Sequence, residues 1–205
     1  PGTSMGGARP KATIEDAQSL WLGKFPARDD RLNLQRVEFA TLDLARRCGL
    51  NVTQARLEAV GQSDVLMLQR FDRDYTDKGY LRFGLVSGLT VLDCGDSYLD
   101  RERWSYPLLA DNLRRWSDKP AADCAELFRR MVFNAAVTNN DDHPRNHALL
   151  RRHKGWRLSP AYDLVPAPVV SLERRDLALT VGDFGRTASI YNLLSQAGRF
   201  GLSAE

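Results

Sequence analysis

Between Cys124 and Ala135 the apolar positions Cys124, Leu127, Phe128, Met131, Val132 and Ala135 keep the spacing of a helix with one buried stripe. It is the strongest periodicity in the chain. The pattern stops at Asn139, where Asn139-Asn140-Asp141-Asp142-His143-Pro144-Arg145-Asn146 sets seven polar side chains around one proline. The fold must therefore bury a long helix whose C-terminal end opens onto a dense polar loop. Two short strands, about Ala148 to Leu150 and Trp156 to Leu158, are expected next, joined through His153-Lys154-Gly155, with Asp163 just beyond. Upstream, Leu109, Asn112, Leu113 and Trp116 predict another helix.

The first half reads differently. Three glycines and a serine in Gly2-Thr3-Ser4-Met5-Gly6-Gly7-Ala8-Arg9-Pro10-Lys11 form a loop whose amides can reach a ligand. Leu20 to Phe25, closed by Pro26, predicts a strand from which Lys24 projects. From Leu34 to Cys48 the positions Val37, Ala40, Thr41, Leu44, Ala45 and Cys48 predict a helix face, with Gly49 as its stop. Ala55, Leu57 and Ala59 alternate with polar residues, and Val65 to Leu68 is apolar throughout, so a half-exposed strand and a buried one follow. The charged stretch Asp74 to Gly79 reads as a connection. The expectation is an α+β chain with a strand-rich lobe over 1–73 and a mainly helical lobe over 74–205.

At 205 residues the chain can bury a core without staples, and 43% hydrophobic with 27% charged residues excludes a disordered or disulfide-dense class. Cys48, Cys94 and Cys124 are odd in number and far apart, so no disulfide framework or paired-cysteine zinc site is expected. No run approaches a membrane span, and Pro1 to Pro10 lacks the apolar core of a signal peptide; the expected compartment is the cytoplasm. A net charge of +3 with dispersed arginine doublets does not announce direct contact with nucleic acid.

Asp141, Asn146 and Asp163 suit phosphoryl transfer. A carboxylate beside an attacking hydroxyl orients it and accepts its proton, while an amide and a second carboxylate supply hard oxygen ligands to Mg²⁺ on the phosphates. In the first half, a glycine loop can lay amides over the phosphates of ATP, Lys24 can pair with them, and Glu38 can hold that lysine. Alone, Lys24 also reads as a solvated strand-edge lysine, and Glu38 as an exposed acid near a helix start. Their order along the chain is what favours a joint role.

Four segments, Gly6-Gly7-Ala8-Arg9-Pro10-Lys11, Leu68-Gln69-Arg70-Phe71-Asp72-Arg73, Asn140 to His147 and Ser159-Pro160-Ala161-Tyr162-Asp163, resemble the successive signatures of HipA-like serine/threonine kinases, the toxins of HipA/HipB toxin-antitoxin modules. The resemblance implies a bilobal protein-kinase-like fold and an ATP- and Mg²⁺-dependent kinase acting on a protein substrate. It implies Asp141 as catalytic base, with His143 helping to form the catalytic loop, and Asn146 and Asp163 as metal ligands. Lys24 becomes the ATP lysine, Gly6, Gly7 and Ala8 the phosphate loop, and Gln69 to Phe71 the hinge that meets adenine. Ser4 falls where such kinases are commonly autophosphorylated, and a HipB-like DNA-binding antitoxin is the implied partner. Family members usually carry an additional N-terminal domain and further C-terminal helices, so the chain resembles a kinase core.

Two other motifs are weaker. Asp183-Phe184-Gly185 spells the Mg²⁺-binding tripeptide of ordinary protein kinases but falls after Asp163 has that role. His143, His147 and His153 cluster, yet Pro144 argues against the continuous helix that a His-x3-His zinc pair needs. The rival functions are a catalytically silent module of the same fold that docks an antitoxin, and a small-molecule phosphotransferase.

Overall fold

The computed structural model describes residues 9–152, 155–167 and 175–203. The chain divides into two compact units, Pro1–Arg82 and Phe83–Glu205. Among the described residues no helix is long and apolar enough to cross a membrane.

The first unit is built on four antiparallel strands, β1 (Lys11–Glu15), β2 (Leu20–Lys24), β3 (Ala55–Val60) and β4 (Ser63–Gln69), in the order β1-β2-β4-β3. Helix α1 (Leu34–Arg47) packs against β3 and β4. Its N-cap, Asn33, accepts the Arg36 amide at 3.0 Å. Strand β4 lies between β2 and β3, so Val65, Leu66, Met67 and Leu68 are all buried, as the apolar run requires. One face carries Trp21, Val65 and Met67, with Ile14 and Phe25 against them. Gly23 belongs to that crowded face: a Cβ there would lie 2.6 Å from Ile14 Cδ1.

Two expectations for this unit need correction. Helix α1 turns inward Gln35, Glu38, Thr41, Leu42 and Ala45, while Leu44 and Cys48 are exposed. Apolar periodicity alone misplaces the face because a paired carboxylate, Glu38, occupies its centre. The stretch Asp74 to Gly79 is no simple connection either, since β5 (Arg73–Thr76) and β6 (Gly79–Arg82) form a hairpin with Gly79 at φ 103°. Tyr75 and Leu81 are exposed on it, so the usual buried-exposed alternation is missing from the sequence.

In the second unit a three-stranded antiparallel sheet, β7 (Gly84–Ser87), β8 (Ala148–Arg152) and β9 (Gly155–Leu158), adds one strand to the expected hairpin. The turn residues His153 and Lys154 lie outside the described residues. Short helix α2 (Gly88–Leu92) follows β7, and α3 (Tyr106–Trp116) and α4 (Pro120–Val137) pack together around Leu109, Leu113, Leu127 and Met131. Ser105 caps α3 by accepting the Leu108 amide, and Pro120 starts α4, where its missing N–H costs nothing. Cys124, Leu127, Met131 and Ala135 are buried as expected, whereas Val132 and Trp116 face outward. Helix α5 (Ile190–Ser195) lies near the end of the described chain.

Candidate active site

Lys24 closes β2 directly opposite Leu66 of β4, so both side chains leave the sheet on one face. The Lys24 ammonium donates to both carboxylate oxygens of Glu38, at 2.7 and 2.8 Å. Their side chains are 12% and 6% exposed, which removes the solvated-lysine and exposed-acid readings. A cation is thereby fixed at a sheet end by an acid one helix away.

Gln69 ends β4. Its amide donates to Gln54 O at 2.9 Å, its carbonyl accepts from Thr53 Oγ1 at 2.9 Å, and the Arg70 amide donates to Leu20 O at 2.8 Å. The N–H groups of Gln69 and Arg70 are thus committed within the unit, while a carbonyl keeps a second lone pair. A cavity of about 460 Å³ lined by Ser19, Gln69, Arg70, Arg73 and Tyr75 adjoins this stretch. Phe71 is half-buried, and Asp72 beside it is gripped by Arg70 and Arg73. Burial alone would raise the Asp72 carboxyl, but the two guanidinium groups hold it below the ordinary carboxylate range. Ser4, Gly6, Gly7 and Ala8 lie outside the described residues.

In the second unit, α4 ends at Thr138, whose φ of 59° is unusual for a β-branched residue. The chain then makes the polar loop. Asp141 is exposed; Asp142, its neighbour, is 1% exposed. The Asp141 carbonyl accepts from the His143 amide at 2.8 Å and from Asn146 Nδ2 at 3.2 Å. With its nitrogen so placed, Asn146 keeps its amide oxygen for another partner. A single 3₁₀ turn, Pro144–Asn146, is closed by the Asn146 amide on His143 O at 2.9 Å.

Asp163 belongs to the same unit and also has left-handed backbone, φ 59°. Side chains on both sides help to hold its segment. Arg130, buried in α4, donates to Ser159 O at 2.7 Å and to Glu126 at 3.0 Å, and the Tyr162 hydroxyl donates to Arg145 O at 2.7 Å. The Tyr162 bond ties the Asp163 segment to the turn that carries Asn146. Burial, with the Asp163 charge adding to it, pushes the Tyr162 phenol well above its usual range, so it stays a donor at any physiological pH. Strained residues such as Thr138 and Asp163 concentrate at working sites.

The donor set suits Mg²⁺: an amide oxygen and a carboxylate are hard ligands, and this ion is commonly held by one or two protein groups plus phosphate oxygens. Among the described residues no group of three or more His, Cys, Asp or Glu side chains could hold a metal by itself. His147 is buried against Asp142 at 3.1 Å, so it does not join His143 in a zinc pair; His153 lies outside the described residues. Asp183-Phe184-Gly185 forms a surface turn stapled to α5, with the Asp183 amide on Ser195 Oγ, the Phe184 amide on Asn192 Oδ1, and Phe184 itself 67% exposed. Tyr106, Asn134 and Arg130 support the loop and the Asp163 segment; within a helix pattern the first two are indistinguishable from ordinary face residues, and Arg130, one of the dispersed arginine doublets, is buried rather than solvated.

The family model for the HipA-like C-terminal domain matches residues 3–205. The chain belongs to the HipA-like C-terminal domain family. Among the relatives of this HipA-like chain is the putative kinase Y4dM of Sinorhizobium fredii, 28% identical over 186 residues, covering 84% of this chain and 43% of that protein. The serine/threonine-protein kinase toxin HipA of Shewanella oneidensis is 27% identical over 169 residues, covering 75% and 39%. This chain spans less than half the length of either relative. In structure it resembles Shewanella oneidensis HipA, solved with HipB and operator DNA, at a TM-score of 0.78 and 23% identity over 99% of this chain and 53% of that one. The Helicobacter pylori proinflammatory kinase CtkA follows at a TM-score of 0.62 and 18% identity, over 80% and 57%. The fold is α+β and kinase-like.

Proposed function

We propose that this HipA-like chain is the phosphoryl-transfer core of an ATP-dependent serine/threonine protein kinase. The observation that carries the reading is the pairing of Asp141 with Asn146: the loop leaves one carboxylate exposed, buries its neighbour, and ties the amide ligand to the same backbone carbonyl.

In this reading Asp141 orients the acceptor hydroxyl and takes its proton as the oxygen attacks the γ-phosphorus of ATP and the bond to ADP breaks. Bound Mg²⁺ would neutralise charge on the phosphates, and Asn146 and Asp163 are the residues that would hold it. His143 shapes the loop through its backbone bonds on either side of the turn. Lys24, held by Glu38, contributes a fixed cation for the phosphates. The carbonyls of Gln69 and Arg70, with Phe71, are the groups proposed to meet adenine. The loop with Gly6, Gly7 and Ala8 would cover the phosphates, with Ser4 as an autophosphorylation site.

A HipB-like DNA-binding antitoxin is the proposed partner, supported by the Shewanella complex, and no direct contact of this chain with nucleic acid is proposed. The proposed compartment is the cytoplasm. Incubation with labelled ATP and Mg²⁺, using protein and metabolite acceptors side by side, tests the reading. Label on serine or threonine of protein supports it, label only on metabolites would replace it with a small-molecule phosphotransferase, and no label with either acceptor leaves the silent binding module.

A further inference from the structure

Beneath the loop that carries Asp141 and Asn146 runs a line of buried polar side chains: Asn139, Asn134, Tyr106, Asp142 and His147, each 3% exposed or less. Asn139 Nδ2 donates to Asn134 Oδ1 at 3.1 Å, Asn134 Nδ2 donates to the Tyr106 oxygen at 3.0 Å, and the Tyr106 hydroxyl donates to Asp142 Oδ2. His147 Nε2 meets the same carboxylate at 3.1 Å, with its ring edge-on to Tyr106 at 5.4 Å between centroids.

From Asn139 to Asp142, the direction of each bond follows from the one before it. Because Asn134 Oδ1 receives Asn139, its nitrogen faces Tyr106; because the Tyr106 oxygen receives Asn134, its own proton goes to Asp142. The line joins α3 and α4 to both ends of the polar loop. A carboxylate wholly removed from water is a costly way to fasten a loop, and an apolar residue of similar size would often give the same or greater stability. What a buried carboxylate with two donors converging on Oδ2 supplies is a single arrangement.

We infer that Tyr106 and Asp142 are positioning residues of the phosphoryl-transfer site, which rests on the kinase reading above. Asp142 follows Asp141 directly in the chain. Fixing the Asp142 side chain below the loop fixes the backbone from which Asp141 is presented above it. From inside the loop, His143 and Asn146 fasten the Asp141 carbonyl; from beneath, Tyr106 and His147 fasten Asp142. Loss of either support lets the base wander, and a displacement of about 1 Å from productive geometry can cost about 100-fold in rate.

Tyr106→Phe removes one oxygen and keeps the ring against His147, so it tests the line with little disturbance to packing; Asp142→Asn tests the acceptor. In the full chain, both variants are expected to lower kcat by about 100-fold with little change in KM for ATP. Hydrogen exchange at the His143 and Asn146 amides should quicken by about tenfold, while amides in the middle of α4 keep their protection. A lowered melting temperature with unchanged kcat and unchanged loop exchange would reduce Tyr106 and Asp142 to ordinary core residues and overturn the inference. So would a change in only one of the two readouts. Should the unaltered chain transfer no phosphate at all, the kinase reading fails, and loop exchange alone decides whether Tyr106 holds the loop.

Discussion

Lys24 and Glu38, fourteen residues apart, share two hydrogen bonds of 2.7 and 2.8 Å with both side chains largely removed from water. The pair joins the end of β2 to the second turn of α1, so the position of the lysine depends on the helix as well as on the sheet. Its removal should therefore have two separable consequences.

Lys24→Met keeps the stem and deletes the charge, leaving the Glu38 carboxylate buried beside a methyl group. Stability in urea should fall by about 3 kcal/mol, and ATP binding should weaken. Adding Glu38→Leu is expected to restore most of the stability and none of the ATP affinity. Recovery of nucleotide binding in the double variant would return Lys24 to a purely structural role.

Asp123 is expected to set the acid limit of the second unit. It accepts from Ser117 Oγ, the Arg157 guanidinium and the Leu158 amide, at 2.6 to 3.2 Å, and so joins the start of α4 to β9. Burial works against its charge, but these donors hold the carboxyl below the ordinary value. A depressed folded-state pKa stabilises the fold fully above the unfolded value of about 3.9 and is lost as pH falls through the folded pKa. Asp72 adds in the same direction. The melting temperature should hold steady above about pH 5 and drop below it, with Asp123→Asn flattening the acid limb; an identical limb in that variant would assign the transition to other carboxylates.

Gly88 lies where α2 meets the Pro144–Asn146 turn. Its amide donates to His147 O at 2.7 Å, and a Cβ would stand 2.4 Å from the Pro144 carbonyl oxygen. Backbone cannot rotate away as a side chain can. Gly88→Ala should cost about 1 to 3 kcal/mol and lower kcat by shifting the Pro144–Asn146 turn. Normal stability and activity in this variant would show that the turn accommodates the methyl group.

Arg130 carries the Asp163 segment through its bond to Ser159 O. Arg130→Met deletes the guanidinium that Glu126 holds at 3.0 Å and removes that anchor, so unfolding free energy should fall by about 3 kcal/mol with weaker Mg²⁺-ATP binding. Calorimetric titration with Mg²⁺-ATP checks the second effect, and an unchanged affinity would separate Arg130 from the metal side of the site.

Helix α4 and strand β4 were readable because their residues obey one rule, a 3.6-residue stripe in the first and an unbroken apolar run in the second. Helix α1 was readable as a helix but not in its orientation, since Glu38 is buried by virtue of a partner fourteen residues away. The β5–β6 hairpin and β7 were hidden by short length and exposed apolar residues such as Tyr75, Leu81 and Leu85. At the site, Asp141 and Asp142 are chemically identical neighbours. Spacing to His143 and Asn146 singles out Asp141, whereas the burial of Asp142 against Tyr106 and His147 is set by tertiary contacts.

Transfer of labelled phosphate from ATP to protein by the unaltered chain and by Asp141→Asn, compared at equal ATP saturation, tests the role of Asp141 most directly. Mg²⁺-dependent labelling of serine or threonine is expected from the unaltered chain, and its abolition in Asp141→Asn with ATP binding largely intact. Full activity in Asp141→Asn together with complete loss in Asp142→Asn would contradict that role.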